Sequence, residues 1–163
     1  MKKNIKICIV SSVGGHLSEI RQLRYIYSKY DHFYILNDDV FLYDDMKGRT
    51  YFITRPKNRV PVFINLYEVL KIFKKERPDV VISCGAGHAV PAFFAAKLFG
   101  AKTIFIETFC VIKKPSLTGR IIYNLRLYDH FFVQWKELLN CFPKARYEGV
   151  IYDIRNYREW LAI

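Results

Sequence analysis

Residues 11–19 of the 163-residue chain read Ser11-Ser12-Val13-Gly14-Gly15-His16-Leu17-Ser18-Glu19. Adjacent glycines let a backbone approach a phosphate or sugar closely, and a histidine beside them adds a group that gains and loses protons near neutral pH. The segment follows the apolar run Ile5–Val10, which reads as a buried strand. Beyond it, apolar residues at 17, 20 and 23 have helical spacing. A strand-to-helix turn of a doubly wound sheet lies at its carboxyl edge, where ligands bind and helix N–H groups are free. A Gly-Gly pair also suits a tight turn with no ligand, and the local pattern leaves both readings open.

Two further segments repeat the arrangement. Ser83-Cys84-Gly85-Ala86-Gly87-His88 follows the strand-like Val80–Ser83 and precedes the helical Ala89–Phe99, with Pro91 in the first turn, where a missing N–H costs little. Glu107-Thr108 follows Thr103–Ile106 directly. Three strand ends carrying glycine, histidine or carboxylate residues converge on one sheet edge, which favours a real site over three unrelated turns. The candidate contacts are Ser12, Gly14, Gly15, Gly85, Gly87, His88 and Thr108. Neither the dinucleotide fingerprint GxGxxG nor a phosphate loop ending in Gly-Lys-Ser/Thr is present.

The elements that position these turns alternate. Strands are expected at Ile5–Val10, His32–Leu36, Thr50–Thr54, Val80–Ser83, Thr103–Ile106 and His130–Val133. Helices are expected at His16–Ser28, Val62–Lys75, Ala89–Phe99, Leu117–Leu127 and Lys136–Cys141. The pattern predicts an α/β protein with a doubly wound, mostly parallel sheet and right-handed crossovers. The length fits one domain, with no repeat or linker. Four scattered cysteines without a CxxC pair argue for reduced thiols and against a disulfide scaffold or structural zinc. No signal peptide is visible, and no apolar run approaches the ~20 residues of a membrane span, so any membrane contact is expected to be peripheral.

The formal charge is +11, which points to an anionic partner such as nucleic acid, an acidic membrane or a phosphorylated substrate. Residues 55–77 carry seven Lys/Arg against two Glu. Within them Val62, Phe63, Leu66, Val69, Leu70 and Phe73 form one apolar helix face, and Ile64, Tyr67 and Ile72 fall outside it. That surplus suits a lipid or partner contact, or burial under a neighbouring loop. Residues 110–126 hold Lys113, Lys114, Arg120 and Arg126 with no acid. Such a mixture suits an anionic membrane or a diphosphate headgroup. Nucleic acid is disfavoured, because strands this apolar are buried on both faces and leave no exposed stacking platform. Asp38, Asp39, Asp44 and Asp45 form an acidic loop without calcium-loop spacing, so no metal site is expected.

Six segments in order match a known family: Gly14 to Glu19, Pro78 to Gly87, Ile106-Glu107-Thr108-Phe109, Ser116 to Arg120, Asp129 to Trp135, and Phe142 to Gly149. The chain resembles the acceptor-binding, membrane-associating subunit of the two-chain UDP-sugar glycosyltransferases. The eukaryotic member helps add the second N-acetylglucosamine to a dolichol-diphosphate-linked sugar, and bacterial counterparts occur in capsular and exopolysaccharide clusters. The resemblance implies a Rossmann-like domain over 1–150, equivalent to the N-terminal half of a GT-B glycosyltransferase. The tail at 151–163, with Ile154, Tyr157, Trp160 and Leu161, would then dock on the partner or simply fray.

The implied partners are a catalytic, UDP-sugar-binding subunit and a polyprenyl-diphosphate-linked acceptor at the cytoplasmic face of the membrane, with UDP-sugar as donor substrate and no cofactor. The chain alone would be inactive. His16 is the implied general base. Glu19 would orient it or stand as an exposed first-turn acid, and Glu107 would be a second base, a sugar ligand or a structural carboxylate bonded to loop N–H groups. Arg55, Arg59, Lys113, Lys114 and Arg120 would meet the membrane or the acceptor diphosphate. Two departures stand out. Val111 occupies the place of a frequent family arginine, whose charge Lys113 or Lys114 would replace. The membrane-spanning helix that begins eukaryotic members is also missing. A purely non-catalytic scaffold that recruits the transferase is the alternative reading.

Overall fold

Strands built from Ile, Val and Phe must be covered on both faces, and the computed structural model, which describes residues 4–37, 42–54 and 62–152, covers them by winding the chain in both directions. The strands are Lys6–Val10 (β1), Asp31–Leu36 (β2), Thr50–Phe52 (β3), Val80–Ser83 (β4), Lys102–Ile106 (β5), His130–Val133 (β6) and Arg146–Tyr147 (β7). The helices are Gly15–Ile20 (α1), Arg24–Tyr27 (α2), Val62–Glu76 (α3), Ala89–Phe99 (α4) and Leu117–Asn124 (α5). All neighbours pair in parallel, in the order β3-β2-β1-β4-β5-β6-β7. The chain moves outward from β1 through β2 and β3, then returns to β4 on the other side. The strand order therefore reverses between β1 and β4, where open α/β sheets bind ligands.

Alternate strand residues feed two cores. Cys8, Val10, Phe33, Ile35, Val81, Phe105 and Phe131 pack under α3, α4 and α5. Ile7, Ile9, Tyr34, Leu36 and Ile106 face α1 and α2. Right-handed crossovers place the three long helices on the first face, because every return from β3 to β6 runs the same way. Among the described residues, the second face carries only α1, α2 and short connections. A groove of about 470 Å³ remains there, lined by Ile82, Ile104, Phe132, Ile26 and the chain at 148–151.

Several elements depart from expectation. The first helix is not continuous: residues 21–23 tighten into a 3-10 turn, where Arg21 reaches Asp45 and lies 3.7 Å over the Tyr43 ring. α5 stops at Asn124 because Arg126 turns left-handed (φ 52°), which brings Leu127 into the core. Residues 136–140 are 3-10 rather than α-helical. The strand at 50 ends at Phe52, and the two-residue β7 was not anticipated. Ile72, placed outside the buried face, is 9% exposed because α3 packs on both sheet and α4, while Ile64 and Tyr67 do face outward.

Of the acidic loop, Asp38 and Asp39 lie outside the described residues. Asp44 pairs with Lys47 at 2.7 Å, and Asp45 pairs with Arg21 at 3.0 Å and Arg24 at 3.7 Å. Of the 151–163 tail, only Ile151 and Tyr152 are described. Among the described residues no helix is long and apolar enough to cross a membrane. Cys8 and Cys84 are buried, Cys110 and Cys141 exposed, and all four are free thiols.

Candidate functional site

The carboxyl ends of β1 and β4 flank the point of reversal, and both glycine turns lie there. After β1, Ser11 is buried and its carbonyl accepts from His88 Nε2 at 2.9 Å, which ties the first turn to the second. Gly14 (φ 90°) turns the chain into α1, and Gly14 and Gly15 are exposed with open space around them. Ser12 is half-buried beside them. After β4, the Ser83 hydroxyl donates to the Gly85 carbonyl at 2.5 Å, and Gly85 and Ala86 both take positive φ, 102° and 82°. This turn leaves Gly87 exposed.

His16 bridges the two turns. Its Nδ1 lies 2.9 Å from the Cys84 carbonyl oxygen, and its side chain keeps a third of its surface exposed. Glu19 is not an exposed first-turn acid, and that placement is corrected; toward His16 it stands at ion-pair distance without a hydrogen bond. The nearest Glu19 oxygen is 3.9 Å from Nδ1, beyond a hydrogen bond, and Glu19 is 2% exposed. It accepts from the Thr108 hydroxyl (2.8 Å), the Phe109 N–H (2.7 Å) and Gln134 Nε2 (2.5 Å). Burial pushes its carboxyl up, against the pull of those three donors and His16.

Glu107 is fully buried at the end of β5. It accepts from the Thr108 N–H at 3.1 Å and the Ser116 N–H at 3.3 Å. Burial raises its carboxyl as well; the Ser116 hydroxyl and the two N–H groups oppose the rise, and the Glu19 charge adds to it. Of the three readings of Glu107, its inward-turned carboxylate fits the structural one, bonded to loop N–H groups, and not the base or sugar ligand. Ser116 completes the arrangement as the N-cap of α5, accepting from the Gly119 N–H at 2.9 Å. A Cβ on Gly119 would fall 2.0 Å from Glu107 Oε2, so the carboxylate rests on the helix where only glycine leaves room.

Burial corrects three further ligand expectations. His88 and Thr108 are each 5% exposed and support the turns from within, and Gly85 is buried against the His16 ring. The residues left at the surface of the edge are Gly14, Gly15, Gly87 and His16, with Ser12 beside them. Lys113, Lys114 and Arg120 are exposed on the loop after β5 and on α5. Arg55 and Arg59 lie outside the described residues.

Gln134, at the end of β6, is the residue that sequence reasoning left without a role. It is 1% exposed, donates to Glu19 and to the Glu107 carbonyl (3.0 Å), and accepts from the Ile151 N–H (2.9 Å). Its signal was a polar side chain ending an apolar strand, as at Ser83 and Glu107. Four elements therefore meet on one buried network beneath a partly exposed imidazole and two glycine turns. Such an edge can offer N–H groups to an anion and one basic nitrogen to a proton.

A family described as "Oligosaccharide biosynthesis protein Alg14 like" matches residues 58–151. The human UDP-N-acetylglucosamine transferase subunit ALG14 is 27% identical over 184 aligned residues, covering 92% of this chain and 84% of the human one. The rat subunit of the same name is 33% identical over 99 residues, covering 55% of this chain and 45% of its own length. Among solved structures, MurG of Acinetobacter baumannii superposes with a TM-score of 0.59 at 17% identity, over 80% of this chain and 41% of MurG. The UDP-N-acetylglucosamine 2-epimerase of Rickettsia bellii gives 0.68 at 12% identity, over 97% of this chain and 48% of the epimerase. The chain thus has the Rossmann-like fold of these structures and spans less than half the length of either.

Proposed function

The chain belongs to the Alg14-like family of oligosaccharide biosynthesis proteins, and from that premise we propose that it is the acceptor-side half of a split UDP-sugar transferase. The observation that carries this reading is the edge between β1 and β4, where exposed glycine turns flank His16. The two-part logic is supported by the single Rossmann-like sheet of the described residues and by relatives that are named as subunits of a UDP-N-acetylglucosamine transferase. The second wall of the cleft, with the nucleotide-sugar, would come from a separate catalytic subunit, and this chain alone would not turn over.

In this reading the acceptor is a polyprenyl-diphosphate-linked sugar. N–H groups of the Gly14-Gly15 turn and of Gly87 would face its diphosphate or the donor's phosphates. The acceptor hydroxyl attacks the anomeric carbon of the UDP-sugar. A carbon–oxygen bond forms there as the bond to UDP breaks, and His16 takes the hydroxyl proton. No metal enters the scheme. Relatives named UDP-N-acetylglucosamine transferase subunits make that donor the first to try.

The contact in this reading is peripheral and at the cytoplasmic face of the membrane; its peripheral part is supported by Ile64 and Tyr67 on α3 and Phe94 and Leu98 on α4, all exposed on two helices that pack together. Exposed Lys113, Lys114 and Arg120, with Arg55 and Arg59, would add attraction to anionic headgroups, at ~1 kcal/mol per charge near the surface. Capsular or exopolysaccharide assembly is the setting we propose.

The test is transfer from a panel of UDP-sugars to a synthetic polyprenyl-diphosphate sugar, with this chain alone, with the product of the adjacent gene, and with both. Turnover requiring both chains, and lost in His16→Ala, is the expected result. Turnover requiring both but unchanged in His16→Ala would leave the chain a scaffold that recruits the transferase.

A further inference from the structure

We propose that Gly85 is a positioning residue for His16. Its lack of a side chain lets the ring dock on the Cys84 carbonyl, so that Nδ1 carries the hydrogen and Nε2 is the atom that takes the acceptor's proton. This rests on the transferase reading for the identity of the proton donor, but the ring's state is a property of the free chain.

A carbonyl oxygen can only accept a hydrogen bond. At 2.9 Å from the Cys84 oxygen, Nδ1 must be the donor, and in a neutral imidazole that leaves the lone pair on Nε2. A second polar group beside the ring is Glu19, whose nearest oxygen is 3.9 Å from Nδ1. Both Glu19 oxygens are already engaged by Thr108, Phe109 and Gln134, so the carbonyl and not the carboxylate selects the tautomer.

The carbonyl is itself held. The Ser83 hydroxyl grips the next carbonyl along, that of Gly85, and His88 anchors the far end of the turn to Ser11. The ring then lies against the bare Cα of Gly85. A Cβ there would stand 2.8 Å from Cε1, 3.0 Å from Nδ1 and 3.5 Å from Nε2. It would push on the ring edge that makes the carbonyl bond. The backbone points the same way, since φ at Gly85 is 102°, where side chains are disfavoured.

The experiment is a long-range proton–nitrogen NMR correlation of the histidine rings in the full-length, nitrogen-labelled chain, with His16 assigned by the signals missing in His16→Ala. With the spectra recorded at a pH where the imidazoles are neutral, hydrogen on Nδ1 of His16 and a bare Nε2 are expected. Hydrogen on Nε2, or averaging between the two forms, overturns the proposal whether or not any transferase activity is found. For Gly85→Ala, the unfolding midpoint is compared in the native and His16→Ala backgrounds. The proposal requires a clearly smaller drop when the ring is gone, because only the backbone strain then remains. Equal drops in the two backgrounds would mean that the ring does not rest on Gly85.

Discussion

Replacing Gly119 by Ala sets two magnitudes against each other. Gly119 occupies the first turn of α5, and it is not among the positive-φ glycines. On an ordinary helix the substitution would stabilise by about 1 kcal/mol. Here the new Cβ falls 2.0 Å from Glu107 Oε2, which must retreat by about 1.4 Å to reach ordinary contact at 3.4 Å. A surface carboxylate would swing aside at little cost. Glu107 is fully buried, and its retreat breaks the bond from the Ser116 N–H and the hydroxyl contact beside it. Each hydrogen bond to a buried charge contributes about 1.5–3 kcal/mol, so with two lost and about 1 kcal/mol of helix propensity gained the net loss is roughly 2–5 kcal/mol. In a domain of this length that lowers the melting temperature by about 4–20 °C. Urea and thermal unfolding of Gly119→Ala measure it directly. The same change on a Glu107→Ala background should be neutral or mildly stabilising, because the obstructing oxygen is gone. A neutral or stabilised Gly119→Ala single variant would refute the packing of Glu107 on α5.

Glu19→Gln keeps the side-chain shape but turns an amide nitrogen toward donors, so a loss of about 2 kcal/mol is expected in urea unfolding; unchanged stability would mean that the three donors do not need a charge. Asp129 is subject to burial, which raises a carboxyl, but the Lys97 ammonium, the Thr103 N–H and hydroxyl, and Lys102 together hold it below the usual range. Its stabilisation is therefore present above the ordinary Asp value of 3.8 and lost as pH falls toward the depressed folded value. Asp129→Asn should cost about 2 kcal/mol at neutral pH and flatten the acid limb of stability, read from urea midpoints between about pH 7 and about pH 2. Phe131 touches Phe105, Phe142, Tyr123 and Tyr128 within ring distances of 4.7–5.2 Å. Phe131→Ala should cost about 3–5 kcal/mol, whereas Leu98→Ala, at a position 63% exposed, should change stability by less than about 0.5 kcal/mol.

What the sequence disclosed follows from how local the cause is. The strands were legible because doubly covered parallel strands are apolar throughout, and α4 was legible to both ends, with Pro91 at its start and Gly100 at its close. The break in the first helix has no glycine or proline to mark it; it comes from Arg21 reaching Asp45, twenty-four residues away. β7 is two exposed residues long, too short for any period to appear. The glycine turns and His16 were readable as an edge, since strand-turn-helix placement alone puts them there. Glu19 was misplaced because it lies off the apolar stripe of Leu17 and Ile20, yet α1 sits over the strand ends and buries that side too. Gln134 meets a partner 115 residues distant, and no spacing within one element encodes such a contact.

β1 is an interior strand of the sheet and the first strand among the described residues, which governs how the molecule is assembled. Its one edge is filled by residues 31–36, but the other waits for residues 80–83. During synthesis that bare edge stays available for wrong pairing until β4 has emerged, and afterwards β5, β6 and β7 each add beside the strand before. The finished sheet inherits this asymmetry. Removing β7 only trims an outer edge, whereas removing Lys6–Val10 leaves β2–β3 and β4–β7 with no strand between them.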